Sequence, residues 1–279
     1  MAYDPRPTKY PFPEDTSSHY IILKKDNGAV FDSGYPYVDR KPFFLFRRAL
    51  VRILMYLIVF PVARIRLGLR IKGRKKLKKH REELKNGVVS CSNHVHFWDY
   101  ISIMCAVKPR RPYVLTWARN IRGENAKLIR MVGSIPIPEN DPRAAAAMCK
   151  AVGDVVNGHG WIHVYSEGSM WEYYRPIRPF KDGAAYIACK FGKPLLPMAF
   201  SYRKPGFIRR VVFRQTALLT LTIGEPLFRD ESLSRCEQKT DLTKRSHDEV
   251  CRLAGIDPEE NVYGPLYENS KRIDYYDAV

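Results

Sequence analysis

Gly87-Val88-Val89-Ser90-Cys91-Ser92-Asn93-His94-Val95-His96-Phe97-Trp98-Asp99 decides how this chain is read. Gly87 to Cys91 is a short β-branched run that predicts a buried strand, and Phe97 to Val107 has the mixed apolar character of a buried helix. His94 then lies where a strand gives way to a helix, at the edge of a sheet. With the helix beginning at about Val95, its first turn carries the Asp99 carboxylate back to one ring nitrogen of His94 and leaves the other nitrogen facing a substrate hydroxyl. An imidazole held in this way is an oriented general base, able to activate an alcohol for attack on an acyl carbon. A His and an Asp at this spacing also arise by chance, so the reading depends on what else the chain carries.

Three further blocks follow in order: Val164-Tyr165-Ser166-Glu167-Gly168-Ser169, Pro179-Phe180-Lys181-Asp182-Gly183 and Lys193-Pro194-Leu195-Leu196-Pro197. Together with Asn93, His94 and Asp99 they resemble the glycerolipid acyltransferase family, which includes lysophosphatidate acyltransferases. The likeness runs from about Gly87 to about Phe200. The family's Asn-His-x4-Asp block is met in full. Its Phe-Pro-Glu-Gly-Thr-Arg-Ser block is met in part by Tyr165, Glu167, Gly168 and Ser169, with Ser166 in place of Pro and Met170 in place of Arg. Its remaining block is followed by Gly133-Ser134-Ile135-Pro136-Ile137-Pro138-Glu139, where Glu139 stands at a position often held by Arg, and an earlier basic position is loosely matched by Arg119.

The resemblance implies acyl transfer from a thioester, with acyl-CoA or acyl carrier protein as donor and a lysophospholipid, first of all 1-acylglycerol-3-phosphate, as acceptor. His94 and Asp99 are the expected catalytic pair, working without an acyl-enzyme. Glu167, Gly168, Ser169, Arg119, Arg178 and Lys181 are the expected substrate-binding residues, and no metal or other cofactor is implied. By resemblance, the absent Arg grips the acceptor's phosphate, which Met170 cannot do. Replacement cations are sought among Arg119, Arg122, Arg175, Arg178 and Lys181, because a guanidinium binds phosphate bidentately. Backbone N–H groups after His94, or in the Glu167-Gly168 turn, are the candidate oxyanion donors.

Composition agrees with this class. A chain of 279 residues, 45% hydrophobic, fits one large α/β domain with an appendage. Its six cysteines show no Cys-x-x-Cys spacing and sit mostly in apolar runs, as expected of reduced thiols on the cytosolic side. With 47 Lys and Arg against 29 Asp and Glu, the net charge of +18 calls for an anionic partner. Helix-turn-helix, RNA-binding and zinc-finger signatures are lacking, so a membrane surface fits better than nucleic acid. His94-x-His96 can bind zinc, which keeps a metal-dependent hydrolase using His94, His96 and Asp99 as an alternative. A noncatalytic lipid-binding protein is the other.

Residues 1–42 read as a Pro- and Tyr-rich arm without signal-peptide character, with a small hairpin over Ile21 to Val30 turning at Asn27-Gly28. Residues 43–85 read as helical, basic and membrane-facing. Their longest uncharged stretch, Ile53 to Ala63, has 11 residues, against the roughly 20 needed to span a bilayer. Arg47, Arg48, Arg52, Arg64, Arg66 and Arg70 are placed at headgroup depth above Phe, Leu and Ile, with Pro61 breaking or kinking the segment. Residues 86–279 form the expected acyltransferase domain, a mixed, largely parallel central sheet flanked by helices. Strands are predicted over Arg111 to Trp117, Ser134 to Ile137, Trp161 to Tyr165 and Leu195 to Phe200, and a strand pair over Arg210 to Arg214 and Ala217 to Ile223. Helices are predicted over Gly123 to Met131, from the Asp141 cap to Gly158 with a stripe of Ala145, Met148, Val152, Val155 and Val156, and over Lys181 to Phe191. His159 and His163, flanking the Trp161 strand, read as structural.

Overall fold

A computed structural model of the chain describes residues 3–5, 26–123, 125–261 and 263. The proposed hairpin lies partly outside them. Seven strands, β1 (Arg70–Lys72), β2 (Val88–Ser92), β3 (Tyr113–Trp117), β4 (Ser134–Ile137), β5 (Trp161–Tyr165), β6 (Leu195–Arg203) and β7 (Leu218–Ile223), form one sheet in the order β1-β7-β6-β2-β5-β3-β4. Only β6 and β7 are antiparallel; every other neighbouring pair is parallel. The expected mixed, largely parallel α/β sheet is therefore present.

The helices are α1 (Pro42–Leu54), α2 (Phe60–Arg66), α3 (Arg74–Lys79), α4 (Arg81–Lys85), α5 (Asp99–Val107), α6 (Ala118–Arg122), α7 (Ala126–Val132), α8 (Pro142–Asn157), α9 (Gly183–Phe191), α10 (Phe207–Val211) and α11 (Arg235–Ala254). β2 is buried along its whole length and divides its side chains by the two-residue period of a strand. Val88 joins an apolar cluster with Phe60 and Ile103, whereas Val89 and Cys91 join one with Val152, Val156, Ala184 and Leu242. α2 and α5 thus cover one face, and α8, α9 and α11 the other.

Several expectations change. The helix after His94 begins at Asp99, not Val95, because the N–H groups of Val95 and His96 turn onto the Asp99 carboxylate instead of entering a helix. Pro61 does not sharply break its segment. A π-helical turn over Met55–Val59 joins α1 to α2, with Phe60 N–H donating to Met55 O, and this wider turn absorbs the proline near the start of α2. Asp141 caps α8 as expected, its Oδ1 accepting from Arg143 N–H at 2.9 Å and Ala144 N–H at 3.1 Å. Ala144, not Ala145, is on the buried face. Arg210 to Arg214 is no strand: α10 takes Arg210, and β7 finds its two partners in β6 and β1. Arg70 to Lys72 of the basic segment enters the sheet as β1. Arg48, expected at headgroup depth, is buried, its Nη1 donating to the Tyr113 hydroxyl and its guanidinium lying over that ring.

Candidate active site

β2 and β5 run side by side and parallel, with Ser92 opposite Tyr165, so the loops leaving their carboxyl ends start from neighbouring points. This brings together residues far apart in the chain. Glu167 Oε2 accepts from His94 N–H at 2.9 Å. Asn93 ties the same loop to the other neighbour of β2: its Nδ2 donates to Phe200 O at 3.1 Å and its Oδ1 accepts from Phe200 N–H at 2.8 Å. Its side-chain amide adds a rung to the sheet.

His94 Nδ1 lies 2.9 Å from Asp99 Oδ2. The same oxygen accepts from Val95 N–H at 2.6 Å and His96 N–H at 2.9 Å, and Asp99, the first residue of α5, is fully buried. An ionised carboxylate only accepts hydrogen bonds, so Nδ1 carries the proton and Nε2 keeps its lone pair. The His94 side chain is 23% exposed. Its ring stacks on Tyr165 with centroids 3.8 Å apart and planes 9° from parallel. Tautomer and ring plane are thus both set, one by Asp99 and the other by Tyr165. Burial raises the Tyr165 hydroxyl well above its ordinary pKa, which keeps it neutral.

Glu167, Ser169 and Arg178 hold one another in the interior. Glu167 Oε1 accepts from Arg178 N–H and its Oε2 from Arg178 Nη2, both at 2.9 Å. Arg178 Nη1 donates to Ser169 Oγ at 2.6 Å, its Nη2 also donates to Ser169 O, and its guanidinium lies over the Trp171 ring. At 1% exposure Arg178 is a partner for Glu167 and Ser169 before it is one for a ligand. Gly168 is exposed with φ +80°, and a Cβ there would come within 2.9 Å of Lys181 Nζ, so these two residues share one surface spot. Arg119 is exposed on α6, just beyond β3, over the Trp117 ring. Arg122 is bonded to Ala29 O at 2.9 Å and to Glu139 at 3.2 Å.

The N–H groups named as oxyanion donors are largely engaged. Those of His94, Val95 and His96 point at carboxylates, and Gly168 N–H donates to Tyr165 O at 3.0 Å. His96 Nδ1 accepts from Trp98 N–H at 3.1 Å, its Nε2 lies 3.7 Å from Glu172, and burial lowers its pKa. Among the described residues, no three His, Cys, Asp or Glu side chains gather as a metal-holding group. His163 is buried in β5, Nδ1 at 2.8 Å from Ser90 Oγ and Nε2 at 3.2 Å from Ser92 Oγ. Trp171 and Tyr174 are buried, whereas Tyr173 lines a groove beside His96. Sequence reasoning missed that groove and the stacking role of Tyr165; the one available signal was Tyr165 standing where the resembled block has Phe.

Residues 68–201 match the model of the family described as Acyltransferase. No curated protein matches the chain. Among seven matching solved chains is the crystal structure of the 1-acyl-sn-glycerophosphate (LPA) acyltransferase PlsC from Thermotoga maritima, at TM-score 0.48 and 18% identity, over 76% of this chain and 87% of that one.

Proposed function

We propose that this chain, whose residues 68–201 match the Acyltransferase family model, is an acyltransferase that moves a fatty acyl group from acyl-CoA or acyl carrier protein to the free hydroxyl of a lysophospholipid, with 1-acylglycerol-3-phosphate the first candidate. The observation that carries the reading is the 2.9 Å contact from His94 Nδ1 to Asp99 Oδ2, which leaves Nε2 as the basic nitrogen of a partly exposed side chain. Nε2 takes the proton of the acceptor hydroxyl as that oxygen bonds to the thioester carbonyl carbon. Asp99 stabilises the imidazolium that forms. The tetrahedral intermediate then expels the thiolate, the C–S bond breaks, and the proton on Nε2 passes to sulfur. Glu167 and Arg178 act as positioning residues, since Glu167 fixes the backbone of His94 and Arg178 fixes Glu167.

The reaction belongs at a membrane surface. Phe43, Leu57 and Ile65 of the N-terminal helical segment are 72%, 71% and 66% exposed, and Arg47, Arg64 and Arg66 are exposed among them, the composition of a helix lying in the interface. No helix among the described residues is long and apolar enough to cross a membrane. The six cysteines are free thiols, which supports the cytoplasmic face.

A thiol-release assay with acyl-CoAs against a panel of lysolipids tests the reaction. His94→Ala should lower turnover by about 10²–10⁴-fold, the usual contribution of a general base, while the protein stays folded by circular dichroism. Near-wild-type turnover in that variant would overturn the mechanism.

A further inference from the structure

A groove of about 690 Å³ runs beside the catalytic corner, between α2 and the chain that enters β7. Val62, Ile65 and Phe213 give it apolar walls, and His96 and Tyr173 line it as well. Its charged lining is Arg66, Arg209 and Arg214, with no carboxylate. Arg209 is partly occupied by the fold, its Nη1 donating to Ile65 O at 2.8 Å and to Gln215 Oε1 at 3.1 Å. Arg66 and Arg214 are exposed and have no carboxylate partner among the described residues. Arg66 lies with its guanidinium 5.6 Å from the Trp98 ring centroid, and its charge reaches both His96 and Tyr173. Arg214 is held at φ +50°, a left-handed backbone that side chains other than Gly seldom adopt.

A cleft lined by one sign of charge focuses its field on an ion of the other sign, and apolar walls beside it suit an alkyl chain. We propose that this groove seats an anionic single-chain lipid, its chain along Val62, Ile65 and Phe213 and its phosphate on Arg66 and Arg214. The inference rests on the acyltransferase reading for the lipid's role as acceptor, and it supplies the cations that Met170 and Glu139 do not. The phosphate monoester it recognises occurs in lysophosphatidate and also in coenzyme A, so the test must separate acceptor from donor.

The test is the double variant Arg66→Gln/Arg214→Gln, with KM measured separately for lysophosphatidate, for an uncharged monoacylglycerol of the same chain and for acyl-CoA. The expected result is a KM for lysophosphatidate raised about tenfold or more, with kcat and the other two KM values nearly unchanged. An unchanged lysophosphatidate KM, or a rise confined to acyl-CoA, overturns the proposal. A binding arm does not depend on turnover: lysophosphatidate in mixed micelles is titrated into His94→Ala protein with and without the two Arg changes. Binding weakened about tenfold by the Arg changes upholds the groove even if the wild type acylates nothing, which would fail the reaction alone. Binding untouched by them, in a wild type that does acylate lysophosphatidate, fails the groove and leaves the reaction standing.

Discussion

The corner around His94 and the apolar surface formed by α1, α2 and the segment 207–213 treat their side chains in opposite ways. At the corner, Asn93, Asp99, Glu167, Ser169 and Arg178 are polar, almost wholly buried and bonded to one another or to backbone. On the surface, Phe43, Leu57, Phe207 and Ile208 are apolar and each more than 60% exposed. Burying polar groups is tolerable only when their bonds are met, and exposing a broad apolar patch signals a partner outside the chain. Changes at the corner should therefore damage fold and chemistry together. Changes on the surface should leave the fold alone and alter only what the protein touches.

The most severe test of this contrast is Arg178→Met. It strands the buried Glu167 carboxylate and the groups on Ser169, and breaking a buried ion pair by removing one partner costs about 3–5 kcal/mol. Denaturant unfolding should show that loss, with activity falling because the support of the His94 backbone goes too. A loss below about 1 kcal/mol, typical of exposed pairs, would mean that the corner is not internally braced.

What the sequence disclosed follows the same divide. β2, β4 and β5 were legible because buried strands repeat over a few residues and end at clear signals, and the Asp141-Pro142 start of α8 is a local chemical event. The His94–Asp99 contact was legible from spacing, although the helix starts later than expected, since a carboxylate reaching back to two N–H groups leaves no mark in hydropathy. Arg178 read as a cation for phosphate because sequence does not disclose that Glu167 and Ser169 surround it. Val211, Val212 and Phe213 read as strand because β-branched and aromatic residues favour strands. Their exposure, 54%, 68% and 62%, shows that they face outward from a short helix and the turn after it.

A titration sharpens the corner's side of the contrast. Burial lowers the pKa of His163 to about 3 from an ordinary 6.5, so the native protein refuses a proton that the unfolded chain accepts. Its contribution to stability is whole above pH 6.5 and is lost as the pH falls from there toward 3, by on the order of 1 kcal/mol per pH unit. Between pH 7 and pH 5, the stabilities of wild type and His163→Gln read by urea unfolding should differ in their slope against pH by about 0.7 proton, since the unfolded histidine is only partly protonated at pH 7. Equal slopes would show that His163 takes up its proton in the native state.

On the apolar surface, Phe207→Ser should leave the unfolding midpoint unchanged, since the side chain is 72% exposed. Its binding to vesicles containing anionic lipid should weaken by about tenfold, consistent with withdrawing most of one aromatic side chain from the interface. Sedimentation with vesicles reads this directly. Unfolding without any change in vesicle binding would assign the phenylalanine to the fold instead.

The smallest effect is expected at Tyr165, where the corner presents a ring and not a hydroxyl to the chemistry. The ring lies 3.8 Å from that of His94, and no described residue bonds its hydroxyl. Tyr165→Phe keeps the stack and removes only the oxygen, so turnover should stay within about twofold and stability within about 1 kcal/mol of wild type. Tyr165→Ala, by contrast, removes the surface that sets the imidazole plane and should lower kcat more than it raises KM. If the Phe variant were as impaired as the Ala variant, the hydroxyl would belong to the proton path, and His94 would not be the only buried-corner group exchanging protons with the substrate.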